Sequence, residues 1–416
     1  MKIHLPCDVI NIIAALESKG HEAYIVGGCV RDSVLKQRPK DWDITTSALP
    51  DEVVGIFPKT FETGIKHGTV TVLINRCGYE ITTFRIDGEY FDSRRPEQVT
   101  FTSNIIEDLS RRDFTVNAIG YNPRTGFIDP FEGQADITRK LIRCVGPPEH
   151  RFGEDALRML RAIRFAGQLG FEVDKATLRA IADLASNITK ISAERVREEL
   201  TKLICSQNVH AIKLLESTGL LKHILPTYKG NIDNTIDLLK GCPVNVPLRL
   251  AVFFEYDGQE SNKLLRNLRF DNKTIRETFY YICMIHHDIF HDRYEIKKIL
   301  RQIAQAWDAF RTPYNSNRFC MPSSIFENLL LLKKIFYPVN EKMFSKILLE
   351  AKDILEKNEC FTLADLSVTG DDLVANGIPP GKAVGEKLEE LLDAVMRNPK
   401  LNKMLKTFVQ NDPKPV

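Results

Sequence analysis

The chain has 416 residues, more than one small hydrophobic core can organise, which predicts two to four domains or subdomains. Its net charge of +2 means that a polyanion would have to be bound by a local cluster of basic residues. We expect no membrane span or secretion signal, because no apolar run is long enough and Asp8 and Asn11 interrupt the N-terminal one. Nine cysteines without a Cys-x-x-Cys pair indicate thiols in a reducing compartment rather than a zinc site, so we expect a cytoplasmic protein.

The first informative stretch is residues 23–35. The apolar run 23–26 predicts a buried strand, and Gly27-Gly28 allows a sharp turn that brings the backbone close to a ligand. The apolar spacing after the turn predicts a helix, so Gly28 would lie at a helix N-terminus, a favourable place for phosphate. Arg31, in the first turn of that helix, adds a planar charged fork suited to phosphate oxygens.

Two acidic residues follow at the start of the next predicted strand. Asp41 and Asp43 flank Trp42, and strand alternation would place both carboxylates on one face, with Trp42 in the packing. Two adjacent carboxylates repel unless a cation lies between them, and hard divalent ions such as Mg²⁺ prefer oxygen ligands. Taken separately, the two glycines could form an ordinary turn and the two acids an exposed strand end. The occurrence of both motifs in this order favours a site for a nucleoside triphosphate and Mg²⁺.

The order Gly-Gly-x-Val-Arg-Asp and then Asp-x-Asp resembles the signature of the DNA polymerase β-like nucleotidyltransferases. Within them it resembles the class II tRNA nucleotidyltransferases (CCA-adding enzymes) and their bacterial poly(A) polymerase relatives. The resemblance implies an α+β fold: a nucleotidyltransferase head with a small mixed β-sheet, followed by an all-α neck, body and tail. Its specific motifs cover about residues 20–225, and we predict a head, neck, body and tail at residues 1–147, 148–206, 207–300 and 301–416.

The segments after the acidic pair predict a β-hairpin and then a loop. Residues 69–74 and 79–84 are rich in β-branched and aromatic residues around a turn. Glu80 in the second strand either faces solvent or is a third carboxylate, a ligand or base, opposite Asp41 and Asp43. Residues 85–103 are polar and turn-rich, which predicts a loop, and in the resembled family a flexible loop here helps the site change from cytidine to adenosine addition.

A second dense motif, RRDFTVNA, occupies residues 111–118. On residues alone it is either a solvated helix end or part of a site. The resemblance implies that Arg112 lies against the nucleotide and that Asp113 fixes its geometry. Residues 121–131 predict a strand, a turn and a second strand, and residues 133–137 match the Gly-x-x-Asp motif that the family uses as a joint between lobes.

From residue 149 onward strands disappear and helices follow, of which residues 154–168 are the most informative. Helical spacing places Ala156, Met159, Leu160 and Ile163 on one side, and Arg158, Arg161 and Arg164 on the other, with Asp155 next to Arg158. This pattern has two interpretations. The arginines are either solvated charges on an amphipathic helix or part of a surface that binds a nucleotide or nucleic acid.

Asp155 and Arg158 have a chemistry that can choose between bases. Cytosine and adenine present an amino donor beside a ring-nitrogen acceptor, whereas guanine and uracil present a carbonyl beside an N–H. A carboxylate next to a guanidinium suits the first pair and misfits the second. The Glu-Asp-x-x-Arg pattern resembles the base-selecting motif of the family, which implies nucleotide binding by Arg112, Asp155, Arg158, Arg161 and Arg164 beside Gly28 and Arg31.

Two later segments contain residues that could bind a metal or RNA. The cluster His286-His287-Asp288 with His291 lacks the spacing of a complete metal site, and we predict no metal there. The C-terminal stretch 361–407 has a Pro-Pro-Gly turn before a helix, with Lys382 near the turn and Lys400, Lys403 and Lys406 beyond. On the residues alone an RNA contact and a plain helical hairpin are both open, and with the resemblance we expect the RNA contact. The resemblance implies that this tail grips tRNA.

The resemblance implies template-independent addition of CCA to the 3′ end of tRNA. The RNA 3′ hydroxyl attacks the α-phosphate of CTP or ATP, pyrophosphate leaves, and metals held by Asp41 and Asp43 activate the hydroxyl. The predicted partners are therefore the tRNA 3′ end, CTP and ATP. An enzyme that adds only the terminal adenosine, a poly(A) polymerase and a catalytically idle tRNA-binding protein remain alternatives, although an idle protein would have no physical reason to keep two repelling acids.

Overall fold

The structure is a computed structural model that describes residues 2–88, 99–287, 292–308 and 320–411. The chain forms two compact units, one comprising Met1–Lys240 with Val244–Ile275 and the other Gly241–Pro243 with Arg276–Val416. The predicted boundaries at residues 147 and 206 fall inside the first unit, and the four-part division stays a prediction. Within the described ranges, none of the helices combines the length and apolarity that a membrane crossing needs.

The strands all lie in the first unit and form one large sheet and two small ribbons. In chain order they are β1 (Ala23–Val26), β2 (Ile44–Thr46), β3 (Thr60–Gly64), β4 (Thr69–Ile74), β5 (Cys77–Thr83), β6 (Arg85–Asp87), β7 (Val99–Phe101), β8 (Gly120–Asn122), β9 (Gly126–Ile128), β10 (Leu141–Ile142) and β11 (Glu172–Val173). The large sheet has the order β3-β4-β5-β2-β1-β8-β9. Strands β2 and β5 are parallel and the other neighbours antiparallel, so the predicted mixed sheet is confirmed.

The centre of the sheet explains the apolar run that was visible in the sequence. Every residue of β1 and β2 is buried, as expected for strands that are covered on both faces. Ile25 pairs with Ile44 on one side and with Tyr121 on the other, and Ile44 pairs in turn with Ile81. This register fixes where the residues just before β2 and within β5 lie relative to the turn after β1.

The predicted hairpin is present as β4 and β5. Its turn places Asn75 and Arg76 at φ values of 50° and 67°, the pair of positive φ angles that a two-residue turn of this hand requires. The loop predicted at residues 85–103 is partly wrong, because β6 and β7 pair as a two-stranded ribbon at its ends. Residues 89–98, in the middle of that loop, lie outside the described residues.

Helices cover the sheet and continue the first unit. They are α1 (Cys7–Ser18), α2 (Gly28–Val34), α3 (Pro50–Ile56), α4 (Ile105–Ser110), α5 (Gly133–Arg139), α6 (Pro148–Glu154), α7 (Leu157–Leu169), α8 (Lys175–Leu184), α9 (Ala193–Ile204), α10 (Lys213–Ser217), α11 (Leu220–Ile224), α12 (Ile232–Gly241), α13 (Val246–Phe253) and α14 (Gly258–Asn267). Helix α1 buries the apolar face that its spacing predicts, namely Val9, Ile12, Ile13 and Leu16. The expectation that strands end before residue 149 is wrong at one place, since β11 pairs in parallel with β10.

The second unit is helical throughout its described residues. Helix α15 (Asn272–Ile285) leads into it, and α16 (Arg293–Asp308), α17 (Cys320–Phe336), α18 (Glu341–Glu356), α19 (Gly370–Ala375), α20 (Lys382–Arg397) and α21 (Lys400–Asn411) follow. Lys297 is fully buried, where it donates to Glu359 at 2.7 Å and to the carbonyl of Met396 at 3.1 Å. A buried ammonium is tolerated only with such partners, so these bonds fix the packing of the unit.

Candidate active site

The glycine turn after β1 is shaped by a backbone conformation that other residues avoid. Gly27 has φ 76° and ψ −132°, and its carbonyl accepts from the N–H of Arg31 at 3.1 Å as α2 begins. A Cβ on Gly27 would lie 3.2 Å from Nη1 of Arg112, and one on Gly28 would lie 3.6 Å from Nη2 of Arg31. The turn therefore passes directly beside two guanidinium groups, which the sequence placed 81 residues apart.

The two guanidiniums are held by different partners. Arg31 donates from Nε and Nη2 to Asp32 at 2.9 and 2.7 Å, and from Nη1 to the side-chain oxygen of Asn117 at 2.6 Å. Arg112 donates from Nη2 to Asp108 at 3.1 Å. Its buried Nε has no hydrogen-bond partner among the described residues.

The predicted acidic pair lies at the edge of the same turn. Asp41 and Asp43 precede β2 rather than lying within it, so their placement in a strand is wrong. The backbone explains their position, because the carbonyl of Asp43 accepts from the N–H of Val26, the residue before Gly27, at 3.0 Å. Both acidic side chains are exposed, and Trp42 between them is half-buried.

The charges around Asp43 are mostly of its own sign. The surrounding chain removes part of its hydration and the charge of Asp41 adds to this effect, so the pKa of Asp43 is raised although Arg112 opposes the shift. Glu80 raises it further. It stands one residue before Ile81 in β5, as Asp43 stands one residue before Ile44, and Ile44 and Ile81 are paired. A raised carboxyl pKa of this origin is what an incoming cation would reverse.

The donor set fits a hard divalent ion only in part. Over the part of the chain that the structure describes, no three His, Cys, Asp or Glu side chains are grouped closely enough to hold a metal. Asp41 and Asp43 could supply two carboxylates to such an ion, and phosphate oxygens and water would have to supply its other ligands. The role of Glu80 as a third ligand or base stays a prediction.

The helix predicted at residues 154–168 begins later than expected. Helix α6 ends at Glu154, Asp155 is extended with φ −144° and ψ 104°, and α7 begins at Leu157. The carboxylate of Asp155 accepts from the N–H of Leu157 at 3.1 Å. A short acidic side chain that bonds the backbone two residues on competes with helix continuation, which explains the break.

The arginines of α7 do not form the solvated flank that amphipathic spacing allowed. Arg158 and Arg164 are 9% and 6% exposed, and helix α7 is buried on nearly all sides. Asp155 and Arg158, predicted as neighbours, are bonded to other partners. Asp155 pairs with Arg195 of α9 at 2.7 Å, and Arg158 pairs with Glu154 and donates to the carbonyl of Arg111 at 3.2 Å.

Asp113 connects the arginines of α7 to the glycine turn. Its Oδ2 accepts from Arg161 at 2.6 and 2.9 Å, and its Oδ1 accepts from Asn117, which in turn accepts from Arg31. Burial by itself raises the pKa of Asp113, but the charge and hydrogen bonds of Arg161 and the bond from Asn117 outweigh it and hold the pKa at about 2. Asp113 is thus a permanent anion that orients Arg161.

Phe165 of α7 and Glu199 of α9 also contact these arginines, and the sequence analysis did not predict either residue. We call the set Arg158, Arg161, Arg164 and Phe165 of α7, with Asp155 before the helix, the nucleotide wall. The ring of Phe165 has the guanidinium carbons of Arg164, Arg31 and Arg161 at 3.5, 5.3 and 5.4 Å from its centroid. Glu199 accepts from Nε of Arg164 at 2.7 Å and lies 3.6 Å from Arg161. No signal in the sequence marked Glu199, which follows another glutamate on an ordinary amphipathic helix.

The Gly-x-x-Asp motif has a packing explanation. A Cβ on Gly133 would lie 2.2 Å from the carbonyl of Thr115, so α5 can approach the RRDFTVNA segment only with glycine there. Asp136 is fully buried and accepts from Thr115 at 2.7 Å and from Arg143 at 2.8 Å. The motif therefore secures the segment that carries Arg112 and Asp113.

The histidine cluster is only partly described. Nδ1 of His286 is hydrogen-bonded to the hydroxyl of Tyr337 at 2.8 Å, and His287 is exposed. Asp288 and His291 lie outside the described residues.

Comparisons with known proteins identify the family. Residues 23–143 match the family model described as "Poly A polymerase head domain", and residues 170–230 match "Probable RNA and SrmB- binding site of polymerase A". The CCA-adding enzyme of Lactobacillus delbrueckii subsp. bulgaricus is 36% identical over 391 residues, 92% of each chain. That of Geobacillus sp. (strain WCH70) is 50% identical over 216 residues, which cover 52% of this chain and 54% of the relative.

Among solved structures, the CCA-adding enzyme of Bacillus stearothermophilus in complex with CTP is similar along nearly the whole chain. The two share 31% sequence identity and superpose with a TM-score of 0.76, covering 97% of this chain and 98% of that one.

Proposed function

This chain belongs to the CCA-adding enzymes, the class II tRNA nucleotidyltransferases, and on that basis we propose which of its residues carry out each part of the reaction. The enzyme adds CCA to the 3′ end of tRNA from CTP and ATP without a template and releases pyrophosphate. The observation that carries this conclusion is 36% identity to a CCA-adding enzyme over 92% of both chains. The residue assignments below are supported by the contacts around the glycine turn.

Asp41 and Asp43 are the proposed metal ligands, and Mg²⁺ the proposed ion of a family that uses divalent metals. Their exposure and the raised pKa of Asp43 support this assignment, because mutually repelling carboxylates gain most from a cation. When bound, the ions would polarise the triphosphate and make the RNA hydroxyl a better nucleophile. Glu80 is retained as a proposed third carboxylate, acting as ligand or base near the pair.

Gly28, Arg31 and Arg112 are proposed to hold the triphosphate. A side chain at Gly27 would meet the guanidinium of Arg112 and one at Gly28 that of Arg31, so the two glycines keep the backbone close to both charges. Arg31 is pre-oriented by Asp32 and Asn117, so little side-chain freedom remains to be lost when phosphate binds. These residues contribute positioning and charge rather than proton transfer.

Asp155 and Arg158 are proposed to read the base, the carboxylate accepting from the exocyclic amine and the guanidinium donating to the ring nitrogen. Arg161 and Arg164 are proposed to orient the nucleotide beside them. Their support is a continuous set of hydrogen bonds and ion pairs that runs from Arg31 through Asn117, Asp113 and Arg161 to Glu199, since side chains held in this way keep a fixed geometry.

The remaining chain is proposed to follow the family plan. Residues 1–147 form the catalytic head, 148–206 the neck that selects nucleotides, 207–300 the body, and 301–416 the tail that binds tRNA. Exposed lysines at the ends of the last helices, Lys382 and Lys400 among them, support RNA binding by the tail. We place the reaction in the cytoplasm, where a protein with these thiols would find a reducing environment.

A labelled-nucleotide assay tests the proposal. Purified protein is given tRNA truncated before its CCA end, with CTP alone, ATP alone, or both. We expect two cytidines from CTP alone, no addition from ATP alone, and complete CCA from both. Addition of adenosine only to tRNA that already ends in CC would indicate an A-adding enzyme, and extension of unrelated RNA by ATP alone would indicate a poly(A) polymerase. No incorporation under any condition would indicate an idle tRNA-binding protein.

A further inference from the structure

Helix α9 carries two opposite charges one helical turn apart on the side that faces α7. Arg195 pairs with Asp155, with Nη2 2.7 Å from Oδ2 and Nη1 3.3 Å from Oδ1. Glu199, four residues later, pairs with Arg164 and Arg161. Arg195 therefore supplies a positive charge to Asp155, and Glu199 supplies a negative charge to the arginines of α7. Residues four apart lie on one face of a helix, so a single face of α9 holds the side chains of the proposed nucleotide wall in place.

The carboxylate of Asp155 is nearly saturated by these bonds. An ionised carboxylate offers about four acceptor positions. Arg195 takes two of them through a two-point contact, and the N–H of Leu157 takes a third at 3.1 Å. Roughly one position is left, and the planar fork fixes its direction. The Asp155 side chain is 14% exposed and that of Arg195 30%, so solvent screens the pair only in part.

We propose that Arg195 is a positioning residue for base selection, because it fixes the direction in which Asp155 can accept a further hydrogen bond. The inference rests on the proposed function, specifically on Asp155 as the acceptor for the exocyclic amine of cytosine or adenine. A fixed carboxylate meets the amine of these bases and opposes the carbonyl oxygen of uracil or guanine. A carboxylate that is free to rotate can turn toward the neighbouring ring N–H of uracil or guanine, and discrimination falls.

The discriminating variant is Arg195→Gln, which keeps a polar side chain but is shorter than arginine and lacks both the charge and the two-point fork. We expect the ratios of kcat/KM for CTP over UTP and for ATP over GTP each to fall about tenfold, chiefly through a rise in KM for the correct nucleotides. The rate at saturating CTP should change little, because Arg195 touches no reacting atom. Arg195→Lys keeps the charge without the two-point contact and should recover part of the discrimination.

Matched controls separate positioning from a general loss of structure. Arg179→Gln removes an exposed arginine from α8 and should leave both ratios unchanged. The midpoint of thermal unfolding is measured for every variant. Asp155→Asn and the double variant with Arg195→Gln complete a cycle, in which the second substitution should cause no further loss of discrimination once Asp155 is replaced.

Each outcome decides between the inference and its premise. If Asp155→Asn lowers the ratios while Arg195→Gln lowers only the thermal midpoint, Arg195 is merely structural and the inference is overturned, while the role of Asp155 stands. Additive losses in the double variant would likewise refute action through Asp155. If neither single substitution changes the ratios, Asp155 does not read the base, and the proposed assignment falls together with the inference drawn from it.

Discussion

At the scale of single residues, the acidic side chains of this site lie close to charges of their own sign. Asp43 is surrounded by Asp41 and Glu80, and the opposing charge of Arg112 does not prevent the rise of its pKa. Nothing in the packing of the fold requires two exposed acids at the edge of the glycine turn. The proposed role as metal ligands would explain them, because a cation between the protein and a triphosphate would offset their repulsion.

Asp41→Asn should abolish nucleotide incorporation and leave tRNA binding largely intact. The amide keeps the shape of the side chain but removes a proposed metal ligand, and the RNA is expected to bind elsewhere. Single-turnover incorporation of labelled CTP and a tRNA filter-binding titration measure the two effects. Asp51→Asn, at an exposed position in α3, is the matched control. Equal loss of incorporation and tRNA binding would contradict the assigned role.

Gly27→Ala should damage both the fold and the site. The backbone at φ 76° and ψ −132° is costly for any residue with a Cβ, and that Cβ would press on Arg112 at 3.2 Å. We expect the free energy of unfolding to fall by about 1–3 kcal/mol, measured by urea denaturation, with reduced incorporation. Gly55→Ala in α3, where a Cβ meets nothing within 4 Å, should instead stabilise by about 0.5–1 kcal/mol. A neutral Gly27→Ala would show that the turn tolerates a side chain.

At the scale of elements, the site depends on how α7 packs against its neighbours. The spacing of its arginines allowed a solvent-facing flank, but the RRDFTVNA segment and α9 approach from two sides and bury it. A buried guanidinium needs a paired anion, and Asp113 and Glu199 supply it from elements distant in sequence.

Glu199→Gln should destabilise the protein by about 3 kcal/mol, because it removes the anion paired with the buried guanidinium of Arg164, whereas Arg161 keeps Asp113. Urea unfolding at neutral pH measures the change. The neighbouring Glu198 is exposed, and Glu198→Gln should stay within about 0.5 kcal/mol of the parent. If the two substitutions cost the same, the ion pairs of Glu199 do not stabilise the contact between α7 and α9.

The Asp113–Arg161 pair should appear in the pH dependence of stability. The folded-state pKa of Asp113, about 2, is below its ordinary value of 3.8, so the unfolded state binds more protons between these values. Its stabilisation is therefore complete above the ordinary pKa and is lost as pH falls through about 2. The shift corresponds to about 2 kcal/mol.

Asp113→Asn tests this linkage. The parent should exceed the variant in unfolding free energy at pH 7, and the difference should shrink as the pH is lowered toward 2. Denaturant unfolding over that pH range measures it, with Asp183→Asn on the exposed side of α8 as the control. A difference that does not vary with pH would mean that the carboxylate charge is not the source of the stabilisation.

At the scale of the whole molecule, a near-neutral chain must concentrate its positive charge to bind RNA. The net charge of +2 is spread over 57 basic and 55 acidic residues. Lys400 and Lys403 are both exposed on helix α21 of the second unit. The side chain of Lys406 lies outside the described residues.

Replacing Lys400 and Lys403 together by glutamate should raise the Kd for tRNA about tenfold or more and lower its salt dependence. A variant with fewer phosphate contacts displaces fewer counterions from tRNA when it binds, so its Kd depends less on salt. The KM for CTP should not change. Fluorescence titrations of tRNA at several salt concentrations measure both quantities. The matched control replaces Lys342 and Lys346, exposed on α18. An equal effect of both pairs would indicate a general charge effect rather than a tail contact.

Local patterns predicted the head in some detail. The strand 23–26, the glycine turn and the hairpin of β4 and β5 follow from runs of apolar and β-branched residues and from turn residues, whose preferences act over a few positions. The break at Asp155 was missed because the competing bond is made by one side chain to the backbone two residues on. The partners of Arg158, Arg161 and Arg164 could not be predicted, since helical spacing shows which face of the helix a side chain lies on but not which residues pack against that face.

The sequence by itself determined the order of a glycine turn and two acids and the change from strands to helices, because each depends on local chemistry and periodicity. The mixed sheet was implied by the family resemblance of the motifs, since strand pairing joins segments far apart in the chain. Only the tertiary structure decided that Arg112 lies beside Gly27, that Phe165 lies among three guanidiniums, and that Asp155 is held by Arg195. These contacts join residues 40 or more positions apart or depend on the neighbours of one helix, and burial and charge pairing in three dimensions select them.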